Sequence, residues 1–127
     1  DIRRDDYDLE LARKMIGIWR RAVETLVYGD YHPLTPFSKS SGEWVAWQFE
    51  RPENRTGFIQ AVRLQDCAEE RITVQLKGIR AERSYVFENS ETGEKIVTAG
   101  KELVQTGFTF ALPRRSGVIW FYGIADA

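Results

Sequence analysis

The sequence predicts a mainly β protein: an antiparallel β-sandwich of about eight strands preceded by one long N-terminal α-helix. Three observations predict it. Apolar residues recur at spacings of three and four only within the first thirty residues. From Glu43 onward they alternate with polar residues or fall in short runs. Glycine, proline, asparagine and serine separate those runs at close intervals. The chain has 127 residues, 43% of them hydrophobic, which suits one domain with a sizeable core and argues against disorder.

The helix is expected over Tyr7–Val27. Asp5 or Asp6 supplies an acceptor for the free N–H groups of its first turn, and Asp8 and Glu10 suit the positive end of its dipole. Leu11, Met15, Ile16, Trp19, Ala22, Val23, Leu26 and Val27 form one apolar stripe. Arg13, Lys14, Arg20, Arg21 and Glu24 fall mostly on the other face. Gly29-Asp30 ends the helix, about 30 Å from its start. Tyr31 to Phe37 holds two prolines, each lacking a backbone donor and disfavouring helix before it, so the segment reads as irregular. Ser38 to Gly42 continues as loop.

Strands are expected at Trp44–Phe49, Gly57–Arg63, Arg71–Lys77, Ser84–Glu88, Lys95–Ala99, Glu102–Val104, Phe108–Leu112 and Val118–Ile124. No second helix is expected among them, which disfavours a parallel α/β sheet. Ile72, Val74 and Leu76 alternate with polar neighbours and predict one wet face. Trp44–Phe49 and Val118–Ile124 are apolar on both faces, so they need a cover on both sides. One cover is the second sheet; the other is the N-terminal helix or a further domain. The domain reading is therefore a helix over 1–30, a linker over 31–42 and a sandwich over 43–127.

Eighteen basic residues against nineteen acidic ones leave a net charge of −1, without the basic excess of a nucleic-acid binder. The longest apolar run, Val118 to Tyr122, is too short to span a bilayer. One cysteine, Cys67, and one histidine, His32, give no disulfide and no metal-ligand spacing, and no cofactor motif is present. Compartment is not legible. The absence of an initiator methionine and of an apolar leader suggests a piece of a longer protein.

Candidate chemistry is sparse. Asp5 and Asp6 are explained by capping. His32 with Asp30 forms the one conceivable acid–base pair, without a Gly-x-Ser-x-Gly nucleophile motif; a structural loop histidine is the simpler reading. Cys67 reads as an inert thiol. Asn54-Arg55-Thr56 matches the short glycosylation pattern. The aromatic residues serve either core and interdomain packing or stacking on sugar rings. For packing between domains the candidates are Met15, Trp19, Val23, Leu26, Trp44, Trp47 and Trp120. For sugar contact they are Trp44, Trp47 and His32.

Several segments, taken in order, resemble the C-terminal end of α-galactosidase (melibiase) type glycoside hydrolases. They are Trp19-Arg20-Arg21 leading into Tyr28-Gly29-Asp30-Tyr31-His32-Pro33-Leu34-Thr35-Pro36; Trp44 to Phe49 followed by Gly57 to Arg63; Leu76-Lys77-Gly78-Ile79 running through Arg83-Ser84-Tyr85 to the Glu91-Thr92-Gly93-Glu94 turn; and Gly100-Lys101-Glu102-Leu103 with Gly107-Phe108 and the last apolar strand. The resemblance implies a β-sandwich trailing a catalytic (β/α)₈ barrel, with the helix as the barrel's last. The family's catalytic aspartates would lie upstream of Asp1, and its Lys-Trp-Asp segment is absent, so no catalytic residue is carried over. The implied function is a non-catalytic accessory domain whose partner is the barrel of the same parent chain. A carbohydrate-binding module is the alternative, and a homo-oligomer is a further partner to weigh.

Overall fold

The computed structural model describes residues 13, 16–18, 20–23, 29–36 and 41–125. Eight strands form two antiparallel sheets. They are β1 (Asp30–Pro33), β2 (Trp44–Arg51), β3 (Thr56–Arg63), β4 (Arg71–Val74), β5 (Ser84–Asn89), β6 (Lys95–Ala99), β7 (Phe108–Ala111) and β8 (Ser116–Ile124). The larger sheet runs β1-β2-β3-β8-β5-β6, and β4 pairs with β7 in the smaller one. The expected fold class is thus observed.

Alternation explains the two-sided strands. The register Trp44↔Arg63, Ala46↔Ala61 and Gln48↔Ile59 puts one parity of β2 and β3 on a common face. Ile59↔Trp120 and Phe87↔Tyr122 extend that face across β8 and β5. This inner face meets Val74, Phe108 and Phe110 of the small sheet in one core that also buries Tyr85, Cys67 and Leu103. The opposite parity, Phe49↔Phe58 and Phe58↔Phe121, looks outward.

Residues 13, 16–18 and 20–23 are helical. Ala22 is buried with Phe58 and Phe121, and half-buried Ile18 packs on the same cluster. The N-terminal helix therefore supplies part of the expected second cover, over Phe58 and Phe121. Its seat differs from the expected stripe. Ile18, Arg21 and Ala22 meet the sheet, whereas Ile16 is 51% exposed. The reason is Arg21, whose planar guanidinium lies 3.9 Å from the Phe121 ring centre and joins an apolar contact despite its charge.

Four local expectations need correction. Tyr31, His32 and Pro33, expected as irregular linker, form strand β1 together with Asp30, expected at the helix end. The Leu34 N–H donates to the Ala46 carbonyl (2.9 Å), so even positions of β1 face β2 and Pro33 turns its donorless nitrogen to the open edge. An edge strand tolerates proline there. Glu102–Val104, expected as a strand, lies in a short helix, Gly100–Thr106, which also removes the expectation of no second helix. Only Gly100 and Leu103 of that segment are buried, and three residues of ambiguous pattern were too few to separate the periods. The first residue of the helix is glycine because a side chain there would collide with the Arg80 carbonyl. It ends at Gly107, whose φ of 79° suits glycine and whose N–H donates to the Leu103 carbonyl (2.9 Å). Strand β4 stops at Val74 instead of reaching Lys77. The chain turns away because Gln48 captures it: Gln48 Nε2 donates to the Lys77 carbonyl (2.9 Å), and the Lys77 N–H donates back to Gln48 Oε1 (2.8 Å). Finally, β7 ends at Ala111, one residue short of the expected Leu112.

Candidate functional site

The outer face of the large sheet is the first candidate. β1, β2, β3 and β8 place Tyr31, Phe49, Phe58 and Phe121 in one row. Neighbouring ring centres lie 5.2, 5.1 and 6.0 Å apart, in tilted, stacked and edge-on arrangements. Cross-strand pairing of alternate residues produces the row. The helical segment covers its Phe58–Phe121 end. There Arg21 Nη1 donates to Glu88 Oε1 (2.8 Å), which holds the Glu88 carboxyl below its usual range. Two open clefts flank Arg21. One, of about 420 Å³, lies toward Arg51, Asn54 and Thr56; the other, of about 260 Å³, lies toward Asn89 and Ser90. Both arginines of the larger cleft already pair with carboxylates, Arg21 with Glu88 and Arg51 with Glu53 (3.2 Å). The arrangement is suited to holding elements together.

The second candidate is the polar corner where β1 meets β2. Asp30 and His32 sit two residues apart on the inner parity, opposite Glu50 and Gln48. Asp30 is exposed and His32 half-buried. Glu50 is only 6% exposed. Burial raises its pKa, His32 and then Arg55 pull it back, and Asp30 adds a smaller upward push. Gly78, with φ of 72°, presses against this carboxyl, and a side chain there would collide with it. A raised carboxyl is a property acid catalysts use. Here it is also what a strand-end glutamate acquires when its neighbours close over it. The buried sulfur of Cys67 lies 3.6 Å from the Glu69 carbonyl, well inside the core. Among the described residues no three His, Cys, Asp or Glu side chains gather as a metal site.

The tryptophans divide between the two faces. Trp44 is 5% exposed on the inner face, and its indole N–H donates to the Glu69 carbonyl (2.8 Å). Its ring is thus enclosed by this domain and offers no surface to a sugar. Trp120 is half-buried on the same face, edge-on to Phe108 at 6.0 Å. Trp47 is half-buried on the outer face between Pro33 and Gln60. Val23 is half-buried on the helical segment. Met15, Trp19 and Leu26 lie outside the described residues.

Sequence reasoning missed Arg21, Gln48 and Arg63. Gln48 is fully buried and also donates to the Tyr122 hydroxyl (2.9 Å). Burial pushes the Tyr122 phenol pKa up, against the lowering effect of that bond. Arg63 is buried, and its guanidinium donates to the carbonyls of Cys67 (3.1 and 2.7 Å) and Leu112 (2.8 Å). The available signal was parity: Gln48 and Arg63 continue the faces of Ala46 and Ala61. The Asn54 side chain closes its turn by accepting from the Thr56 N–H (3.3 Å) and hydroxyl (2.7 Å).

No family model matches the chain, and no curated protein matches it. Solved structures do. The galactosidase domain of the alpha-galactosidase-sucrose kinase AgaSK superposes with a TM-score of 0.68 at 19% identity, over 94% of this chain and 17% of that one. The GH36 alpha-galactosidases AgaA and AgaB from Geobacillus stearothermophilus each superpose at 0.65 and 21% identity, over 91% of this chain and 16% of theirs. The fold is therefore one that occurs within GH36 alpha-galactosidase chains. This chain spans about a sixth of their length.

Proposed function

We propose that this chain is a non-catalytic accessory domain of an alpha-galactosidase-like glycoside hydrolase, packed against the catalytic barrel of its parent and stabilising it. In this reading residues 1–30 close the preceding barrel. The sandwich begins at Asp30, because β1 belongs to its sheet.

The observation that carries the reading is the phase of the helical segment. Ile18, Arg21 and Ala22 face the sheet. At 100° per residue Ile16 lies about 160° round the helix from Ile18, on the side away from it. Val23, seven residues on, shares that side. Ile16 is 51% exposed and Val23 is not fully buried. Among the described residues, the helix thus carries two apolar side chains, Ile16 and Val23, that are not part of the cluster on the sandwich. Of the expected packing residues, Val23 belongs with this side of the helix and Trp47 with the outer face of the sheet; Trp44 and Trp120 belong to the domain's own core.

The test compares two backgrounds. Ile16→Asp is introduced into this chain and into the longer enzyme containing it. The proposal expects a lowered melting temperature in the enzyme and little change in the isolated chain. Equal effects in both, or none in the enzyme, reject it. Calorimetric titration with galactosides addresses the carbohydrate-binding alternative, for which no heat at millimolar sugar is expected.

A further inference from the structure

Glu50 is the one buried acid among the described residues. Gln48 and Arg63, the other buried polar side chains described, are both hydrogen-bonded to the backbone. No described group donates a hydrogen bond to the Glu50 carboxyl. Such a group in a native core calls for a reason. The little surface it keeps leaves it within reach of solvent protons.

Residues 77–80 lie across this carboxyl. Gln48, two positions back on the same face of β2, holds Lys77 by two hydrogen bonds (2.9 and 2.8 Å). The Tyr85 hydroxyl accepts from the Arg80 N–H (2.9 Å). Between these two pins Gly78 rests on Glu50: a Cβ there would strike both oxygens and the carbon of the carboxyl. Half-buried Ile79 adds an apolar contact with the core. The segment belongs to no strand. The groups that act on the carboxyl are Asp30 and His32 of β1 and Arg55 of the β2–β3 turn. Tyr122 of β8 also feels its charge, but burial raises the phenol pKa and keeps it neutral. Lys77 and Arg80 are exposed.

We propose that residues 77–80 form a pH-sensitive latch, which closes over Glu50 when the carboxyl carries a proton and lifts when the carboxyl is ionised. A neutral carboxyl tolerates a nook without donors, whereas a carboxylate needs donors or water. The segment is the part free to yield, because β1, β2 and β3 are held by continuous ladders. In the closed state burial raises the carboxyl pKa, against the lowering effects of His32 and Arg55. With the latch lifted, the hydrated carboxyl returns to its ordinary range. Between those two values, rising pH therefore shifts the latch from closed to open. The proposal does not depend on the parent enzyme.

The test is NMR on the full chain from about pH 4 to about pH 8, a range spanning ordinary carboxyl and imidazole titrations. The Glu50 carboxyl carbon reports its ionisation. Amide exchange, corrected for its direct dependence on pH, reports the latch at Lys77 and Arg80 and the sheet at Ile59 and Ala61. Protection at Lys77 and Arg80 should fall about tenfold, what one uncompensated buried acceptor costs. Its midpoint should coincide with the Glu50 titration, while Ile59 and Ala61 stay protected. Glu50→Gln should abolish the fall, and His32→Gln should leave it in place. Coupling is reciprocal, so Gln48→Leu, which unpins Lys77, should bring the Glu50 pKa down toward the ordinary value. Protection at Lys77 and Arg80 that tracks Ile59 and Ala61 at every pH overturns the proposal. So does a fall that persists in Glu50→Gln or vanishes in His32→Gln, or a Glu50 titration that Gln48→Leu leaves unmoved.

Discussion

On its inner face the six-stranded sheet buries Ile59, Ala61, Phe87 and Tyr122 against a second sheet and a short helix, with every enclosed polar group of Gln48 and Arg63 paired. On its outer face it buries only Phe58 and Phe121, under Ala22 and half-buried Ile18, with a guanidinium stacked on a ring at the margin. Both faces follow from the same alternating strands. What differs is the cover. The inner cover is tied by the β4–β7 pairing and by side-chain bonds to the backbone of the 77 and 112 regions. The outer cover is held by a few contacts and one partly exposed ion pair. The comparison teaches that hydrophobic patterning marks two faces for burial, while the number of tied elements decides how firmly each cover is held.

The sharpest way to break this comparison is at Phe87, fully buried beneath Phe108 and Tyr122. Phe87→Ala should cost about 3–5 kcal/mol through lost burial and a cavity, read as a shift in the urea midpoint. Next comes Gln48→Leu, which fills similar space but leaves the Lys77 N–H and carbonyl unpaired. A loss of about 1–3 kcal/mol is expected, together with faster exchange of the Lys77 amide. On the outer face, Ala22→Asp should release the helical segment, seen as loss of amide protection over residues 16–23. The cooperative unfolding of the sandwich should move by no more than about 1 kcal/mol. If Ala22→Asp cost as much as Phe87→Ala, the distinction between the faces would collapse.

Arg21→Ala should be milder, under about 1 kcal/mol, because its ion pair is exposed and screened by salt.

Glu50 sharpens the comparison by pH. Its carboxyl pKa is raised mainly by burial. Between the ordinary carboxyl value and the raised one, the folded chain binds more protons than the unfolded chain, so this group makes stability fall as pH rises through that window. Glu50→Gln should therefore be more stable than the parent at neutral pH. The two should converge below the ordinary value, as urea midpoints at both pH values would report. A variant less stable at neutral pH would show that the charged form makes favourable contacts in the corner.

Much of the β architecture was legible because a strand's period of two is printed in its side chains. Val118, Trp120 and Tyr122 face inward and Ile119 and Phe121 outward, as alternation required. The demand for a cover on both sides of β8 also followed from sequence, since apolar residues of both parities cannot all remain wet. The candidate site was less legible. Trp44 reads the same whether it stacks on a ligand or fills a core, and only the second sheet decides that it is enclosed. Arg21 reads as a solvent-facing charge until the phenyl ring of Phe121, far along the chain, arrives beneath it.

The sequence by itself determined seven of the eight strands and their faces, because steric alternation, proline's missing donor and glycine's freedom act over a few residues. The tertiary structure decided the pairing of β3 with β8 and of β4 with β7, the helix at Gly100–Thr106, and the burial of Gln48, Glu50 and Arg63. Those outcomes depend on which surfaces meet. A contact between residues far apart in the chain is set by the closing of the whole core, and no local period encodes it.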